Sequence, residues 1–277
     1  MVWGEQGVGD QIWSAGMLGE LKERAKAGRV LVECMPKLEP LFKRSLPWAE
    51  VIAQSEPPDP RCVEGVDYQI AAGSLGKIFR QELADFPKRE ETGGAYLVAD
   101  AGREAAWRDK LREGGAGLKV GVSWRSTNLR GERALSCTRL SQWGEIFKVP
   151  GIRFINLQYD QCEAELKEAE ALHGIRIERY AVDMFDDLDE TAALMRGLDL
   201  VISAPTSVSI LSAALGVPTW QMNHGVEWQL HGQANNPWYP AMKNYARRWD
   251  QPWEDILRRM ANDLQALTAK TATEIAA

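Results

Sequence analysis

Trp3-Gly4-Glu5-Gln6-Gly7-Val8-Gly9-Asp10-Gln11-Ile12 joins a short apolar start to a helix, and the fold is read outward from it. Met1-Val2-Trp3 has the length and composition of a strand end. Gln11 to Ala25 reads as one helix, with Ile12, Ala15, Leu18, Leu21 and Ala25 on a single face. Between them Gly4, Gly7 and Gly9 allow positive φ and a close approach of backbone to ligand. A glycine-rich strand-to-helix turn aims unpaired helix N–H groups beyond the sheet edge, where an anion is stabilised. Three readings compete for Asp10. It is a helix cap, a general base at the mouth of a cleft, or part of a dinucleotide turn completed by Glu33 about twenty residues on. The dinucleotide pattern is incomplete, because Ile12 stands where its third glycine belongs.

At 277 residues the chain is long for one core, so two domains are expected. Net charge is −6 with no basic tail, which argues against a nucleic-acid surface while leaving small phosphorylated ligands open. Cys34, Cys62, Cys137 and Cys162 lie far apart without paired spacing, as reduced cytoplasmic thiols do. His173, His224 and His231 make no ligand cluster, and no signal peptide or membrane-length apolar run is present. The first strand is shorter than usual, which points to a piece of a longer polypeptide.

Strands and helices alternate along both halves. Expected strands are Arg29–Glu33, Glu50–Ala53, Asp67–Ala71 and Tyr96–Val98 in the first. In the second they are Leu118–Trp124, Arg153–Gln158, Ile175–Glu178, Leu198–Ser203 and a last one opened by Gly216–Trp220. Such alternation gives parallel sheets. Gly114-Gly115-Ala116-Gly117 breaks the pattern like a hinge. The expected fold is therefore α/β: two Rossmann-like lobes with parallel sheets facing a cleft. The divisions are 1–115, 116–252 and an amphipathic closing helix over 253–277, with Ile256, Leu257, Met260, Leu264 and Leu267 on one side.

Ligands of doubly wound sheets lie beyond the carboxyl ends of strands. That rule selects Gly4–Asp10 and Ala72–Gly76 in the first lobe, with Gln6, Gly7, Gly9, Gly73 and Ser74 as lining, and Ser123–Arg133 and Ser203–Ser209 in the second. Thr206, Ser207, Val208 and Ser209 open a helix whose amides and hydroxyls suit a diphosphate, or simply cap it. Arg125, Arg130, Arg133 and Arg139 neutralise phosphate or sit on a solvated loop, and Arg125 alone directly follows a strand. The acids from Asp183 to Asp189 fit a helix start better than a cation site, so no metal is expected.

Several stretches in order carry a resemblance. They include Gly4–Asp10, Val120-Gly121-Val122-Ser123-Trp124, Phe154-Ile155-Asn156-Leu157-Gln158, Leu198–Ile202, Thr206-Ser207-Val208, Ala214-Leu215-Gly216-Val217-Pro218 and Pro237-Trp238-Tyr239-Pro240. Together they resemble the glycosyltransferase-like domain found downstream of tetratricopeptide repeats in bacterial proteins, which is similar to the lipopolysaccharide heptosyltransferases with a GT-B fold. The resemblance implies a nucleotide-diphosphate sugar donor on the second lobe, near Ser123, Arg125, Gln158 and Thr206–Ser209. It implies a glycan or protein acceptor on the first, upstream repeats in the parent chain, a cytoplasmic location, and no metal or other cofactor. It also implies that Asp10 is the base that activates the acceptor hydroxyl. Pro205 and Ile210 stand where the heptosyltransferase-like pattern has an acid and a histidine. That departure keeps two other classes in view, a catalytically silent sugar- or nucleotide-binding scaffold and a nucleotide-sugar epimerase.

Overall fold

A computed structural model describes residues 1–87, 95–225 and 228–276. In the first lobe β1 (Val2–Trp3) runs through the glycine turn into α1 (Val8–Ala15) and α2 (Leu18–Ala25). It continues with β2 (Leu31–Cys34), α3 (Glu39–Ser45), β3 (Glu50–Ala53), β4 (Ile70–Ala71), α4 (Leu75–Phe79) and α5 (Ala101–Glu113). The second lobe begins with β5 (Leu118–Ser123), α6 (Gly144–Phe147), β6 (Ile152–Asn156), α7 (Glu163–His173), β7 (Ile177–Glu178) and α8 (Leu188–Arg196). It ends with β8 (Leu200–Ser203), α9 (Ser207–Ala214), β9 (Thr219–His224), β10 (Met242–Arg247) and α10 (Trp253–Ala276).

Two sheets result, ordered β3-β2-β1-β4 and β10-β9-β8-β5-β6-β7. Every strand pairing in them is parallel. Each sheet reverses its winding once, between β1 and β4 in the first and between β5 and β8 in the second. A reversal opens a crevice outside the strand ends, because the flanking helices leave in opposite directions. The structure thus has the two-sheet, GT-B-like α/β architecture.

Differences from the expected elements have local causes. The helix expected over Gln11–Ala25 breaks at Gly16-Met17; a Cβ on Gly16 would meet the Tyr96 ring at 3.1 Å, so the missing side chain makes room for that ring. Tyr96–Val98 joins no sheet: the Tyr96 and Leu97 N–H groups donate to the Ala214 carbonyl and satisfy the end of α9. Sequence reading passed over β10. It pairs with β9 alone, and as an edge strand it buries only Met242 and Tyr245 while Lys243 and Ala246 face out.

One apolar core crosses the boundary between the lobes. Val2, Ile12 and Leu75 share it with Leu194, Val208 and Leu211. A second core lies within the second lobe, where Val122, Trp143 and Ile202 meet Leu257, Met260 and Leu264 of α10. Helix α10 therefore buries its apolar face in that lobe. Ion pairs reinforce the shared boundary: Arg44 holds Asp189 with two bonds of 2.6 and 2.9 Å, and Lys37 meets Asp186 at 2.9 Å.

The glycine break is not a free joint. Arg153 donates to the carbonyls of Leu111 and Gly115 while its other nitrogens bind Glu178. A Cβ on Gly114 would displace that guanidinium, so this glycine serves close packing. Relative motion of lobes is the default only where the interface is small and polar. Here the continuous core and the pinned linker correct the expected hinge.

A candidate active-site cleft between two helix starts

The two crevices face one another across a cleft of about 1010 Å³. Gln6, Gly7, Gly9 and Asp10 form one wall, and Thr206 and Ser207 form part of the other. The approach is close because residue 9 has no side chain: a Cβ there would lie 3.2 Å from Ile210 Cδ1 and 3.8 Å from Ser207 Cα. The turn does not use its glycines for left-handed backbone. Gln6 has φ of +62° instead, a strained conformation for a residue with a side chain, and it faces the cleft. Gly4 provides a close approach, since a Cβ there would come within 2.8 Å of Gln11 Cδ and 2.9 Å of the Glu33 carbonyl.

Asp10 is the third residue of α1, whose N-cap is Gly7. Its Oδ2 accepts the Gly7 N–H at 3.1 Å, closing the first turn. Among the described residues none donates to Oδ1, and the side chain is exposed to the cleft. The carboxylate therefore caps with one oxygen and offers the other to a ligand. Tyr96 supports the helix from below, its hydroxyl donating to the Ile12 carbonyl at 2.9 Å. Burial holds the neighbouring Tyr239 hydroxyl well above the usual tyrosine range, with Tyr96 and the Asp10 charge adding to the effect, so that phenol stays neutral.

Across the cleft α9 begins at Thr206, whose Oγ1 accepts the Val208 N–H at 3.3 Å. No acidic residue lies in its first turn. Ser209 is buried: its hydroxyl donates to the Thr206 carbonyl and accepts from Gln221 Nε2, each at 2.9 Å. Val208 and Ser209 thus brace the helix start, while Thr206 and Ser207 line the cleft.

Other expected site residues lie elsewhere. Arg125 does not reach the cleft. Its guanidinium turns back into the lobe, where Glu165, Asp160 and the Gln161 carbonyl take its nitrogens. Burial opposes the charge, but the two carboxylates outweigh it and its pKa stands above the ordinary arginine value. Gln158 is a buried bracket that accepts from Ser123 Oγ at 3.1 Å and donates to the Arg125 carbonyl at 3.0 Å. Ser123 is fully buried beside it. Gly73 and Ser74 are also off the cleft wall; a Cβ on Gly73 would strike Glu5 Oε1 at 2.5 Å, so that turn packs on Glu5.

The cleft's arginine is Arg133. It sits on the 3-10 turn Gly131–Ser136, entered through a left-handed Gly131 at φ +62°, and among the described residues its guanidinium has no partner. His224, Gln221 and Trp228 also line the cleft without having been singled out from the sequence. His224 ends β9, so the strand-end rule would have found it had that strand been followed to its last residue. The acidic run is engaged in structure. Asp183 accepts from the Phe185 and Asp186 N–H groups, Asp187 caps α8, and Asp186 and Asp189 hold Lys37 and Arg44. Among the described residues no three His, Cys, Asp or Glu side chains converge on a metal position. No described helix is long and apolar enough to cross a membrane.

Solved structures share this architecture. E. coli ADP-heptose lps heptosyltransferase II superposes with a TM-score of 0.63 at 12% identity, covering 98% of both chains. The glycosyl transferase family 9 protein from Veillonella parvula DSM 2008 gives 0.62 at 12% identity, over 98% of this chain and 96% of that one. E. coli heptosyltransferase WaaC with ADP-2-deoxy-2-fluoro heptose gives 0.53 at 15% identity, over 98% and 100%. The fold is thus that of heptosyltransferase-like, GT-B-type proteins. In sequence the chain is 32% identical to Protein FlbA of Caulobacter vibrioides over 281 residues, which is 97% of this chain. The chain spans about half, 46%, of that curated relative. No protein-family model matches it.

Proposed function

We propose that this chain is a metal-independent glycosyltransferase that takes a nucleotide-diphosphate sugar and inverts the sugar carbon on transfer. One observation carries the reading: a carboxylate with a free oxygen on one helix start faces an uncharged helix start across a cleft wide enough for a nucleotide sugar. Asp10 Oδ1 takes the proton of the acceptor hydroxyl as its oxygen attacks. The bond from sugar carbon to diphosphate breaks with its electron pair on the diphosphate. The α9 amides, the Thr206 and Ser207 hydroxyls and Arg133 stabilise that charge. Arg133 replaces Arg125 in this role. The acceptor is a glycan or a protein on the Gln6–Gly9 side. The chain acts in the bacterial cytoplasm as the glycosyltransferase portion of a longer polypeptide carrying tetratricopeptide repeats.

A thermal-shift panel of nucleoside diphosphates, their sugar conjugates and NAD tests the reading. Ligand at about one hundred times its dissociation constant adds about 2.7 kcal/mol to stability. The expected result is a rise with one diphosphate series and none with NAD; a flat response to every diphosphate sinks the proposal. Pro205 and Ile210, both on the cleft wall, favour a second reading as a non-catalytic binding module. Calorimetric binding of a nucleotide sugar without release of free diphosphate, in the presence of acceptor-bearing bacterial extract, selects it.

A further inference from the structure

His224 is the last residue of β9 and lines the cleft. The parallel register places Arg247, the last residue of β10, directly beside it. Arg247 Nη2 lies 2.9 Å from His224 Nδ1. A guanidinium only donates, so Nδ1 is the acceptor of this bond and the neutral ring carries its proton on Nε2. The arginine is itself fixed: Nη1 donates to the Gln251 carbonyl at 2.9 Å, and the guanidinium stacks 5.1 Å from the Trp253 ring centroid. Among the described residues nothing hydrogen-bonds His224 Nε2. The His224 backbone N–H donates to Ser136 Oγ at 2.9 Å, which ties the histidine to the turn that presents Arg133.

A histidine on an open surface exchanges tautomers and offers water either nitrogen. This one has its tautomer set by a neighbour that cannot accept, and the residue lines the cleft with its remaining nitrogen unpaired among the described residues. We infer that His224 is a hydrogen-bond donor, through Nε2–H, to the diphosphate of the donor and leaving group, and that Arg247 is the positioning residue that selects this tautomer. The inference rests on the glycosyltransferase reading. No proton is transferred by the histidine: when the sugar–oxygen bond breaks, the electron pair stays on the diphosphate oxygen and Nε2–H strengthens its bond to it. The proton lost by the acceptor goes to Asp10.

The test is a long-range 1H–15N correlation of the imidazoles in the whole chain, with His224→Gln used to assign the signal, before and after addition of ADP, GDP or UDP. The Nε2–H pattern is expected in the free protein, with a change at Nε2 on adding whichever diphosphate binds. His224→Leu should weaken that diphosphate about tenfold to a hundredfold, the span expected for a hydrogen bond to a charged group. His224→Gln, which keeps a donor, should retain most of the affinity. Arg247→Met should give mixed tautomers and intermediate binding, which a purely structural loss would not produce. An Nδ1–H tautomer, or unchanged diphosphate binding in His224→Leu, overturns the inference and leaves the glycosyltransferase reading standing. Failure of the wild type to bind any of the three diphosphates overturns both.

Discussion

Helices α1 and α9 both begin at the cleft, both run for eight residues, and both follow a strand beside a winding reversal. They differ in charge. The first turn of α1 contains Asp10, which spends one oxygen on its own cap; the first turn of α9 contains no acid and is capped by the Thr206 hydroxyl. A helix start carries roughly half a positive charge from its unpaired amides. In α1 that charge is met by a built-in carboxylate, so this end suits proton removal. In α9 no acid of the first turn meets it, so this end suits an incoming anion. Two copies of one backbone device thus differ by a single side chain, and on the proposed function that difference divides the work of transfer between them.

The largest effect should come from erasing that side chain's charge. Asp10→Asn keeps an oxygen for the Gly7 N–H, so stability should change by less than about 0.5 kcal/mol. Transfer should fall about 10²- to 10⁴-fold, the usual contribution of a general base, while diphosphate affinity holds. Retained turnover would reduce Asp10 to a cap. Making α9 resemble α1 is the complementary change: Ser207→Asp should lower diphosphate affinity about tenfold or more and raise thermal stability slightly, because a first-turn acid favours the helix by about 0.3–1 kcal/mol. A calorimetric titration with unaltered affinity would show that the anion sits elsewhere.

Two of the three arginines in the stretch 124–133 after β5, Arg125 and Arg133, sharpen the contrast further. Arg133→Gln should weaken diphosphate binding about tenfold with little change in melting temperature. Arg125→Gln should do the reverse, costing roughly 1–2 kcal/mol because it strands Asp160 and Glu165, both partly screened by solvent. Paired melting and binding curves separate the outcomes, and exchanged phenotypes would refute the assignment. The smallest effect belongs to Gly9→Ala. Its new Cβ presses on Ile210 Cδ1 at 3.2 Å, a strain of about 1 kcal/mol offset by a better helix residue, so stability should barely move while the spacing of the two helix starts shifts and turnover drops a few-fold.

The sequence made the frame readable because its signals are local. Glycine turns, apolar strand runs and helix faces each report on their own neighbourhood, and Glu50–Ala53 is a strand as expected. The positions of Asp10, Thr206 and Ser207 on the cleft wall were legible for the same reason, since each lies in the turn or first helical turn that follows a strand end. Arg125 obeyed that rule too and still left the cleft. Its carboxylate partners lie 35 and 40 residues away along the chain, a distance no local pattern reports. Arg133 was obscured in the opposite sense, because the turn that presents it is tied down by Ser136 meeting the His224 amide across 88 residues. The Gly114–Gly117 segment read as flexible from composition; only Arg153, on β6, reveals that its Gly115 carbonyl is held.

The core that runs unbroken beneath both lobes has one further outcome. Enzymes with a jaw shut water out by moving; here the two lobes are joined at the root by shared packing. Were the chain a transferase, sealing would then fall to the second substrate, whose own bulk would fill the mouth. On the glycosyltransferase reading, a sugar donor bound before the acceptor sits beside bulk solvent, and slow hydrolysis of that donor is the expected cost of a rigid frame.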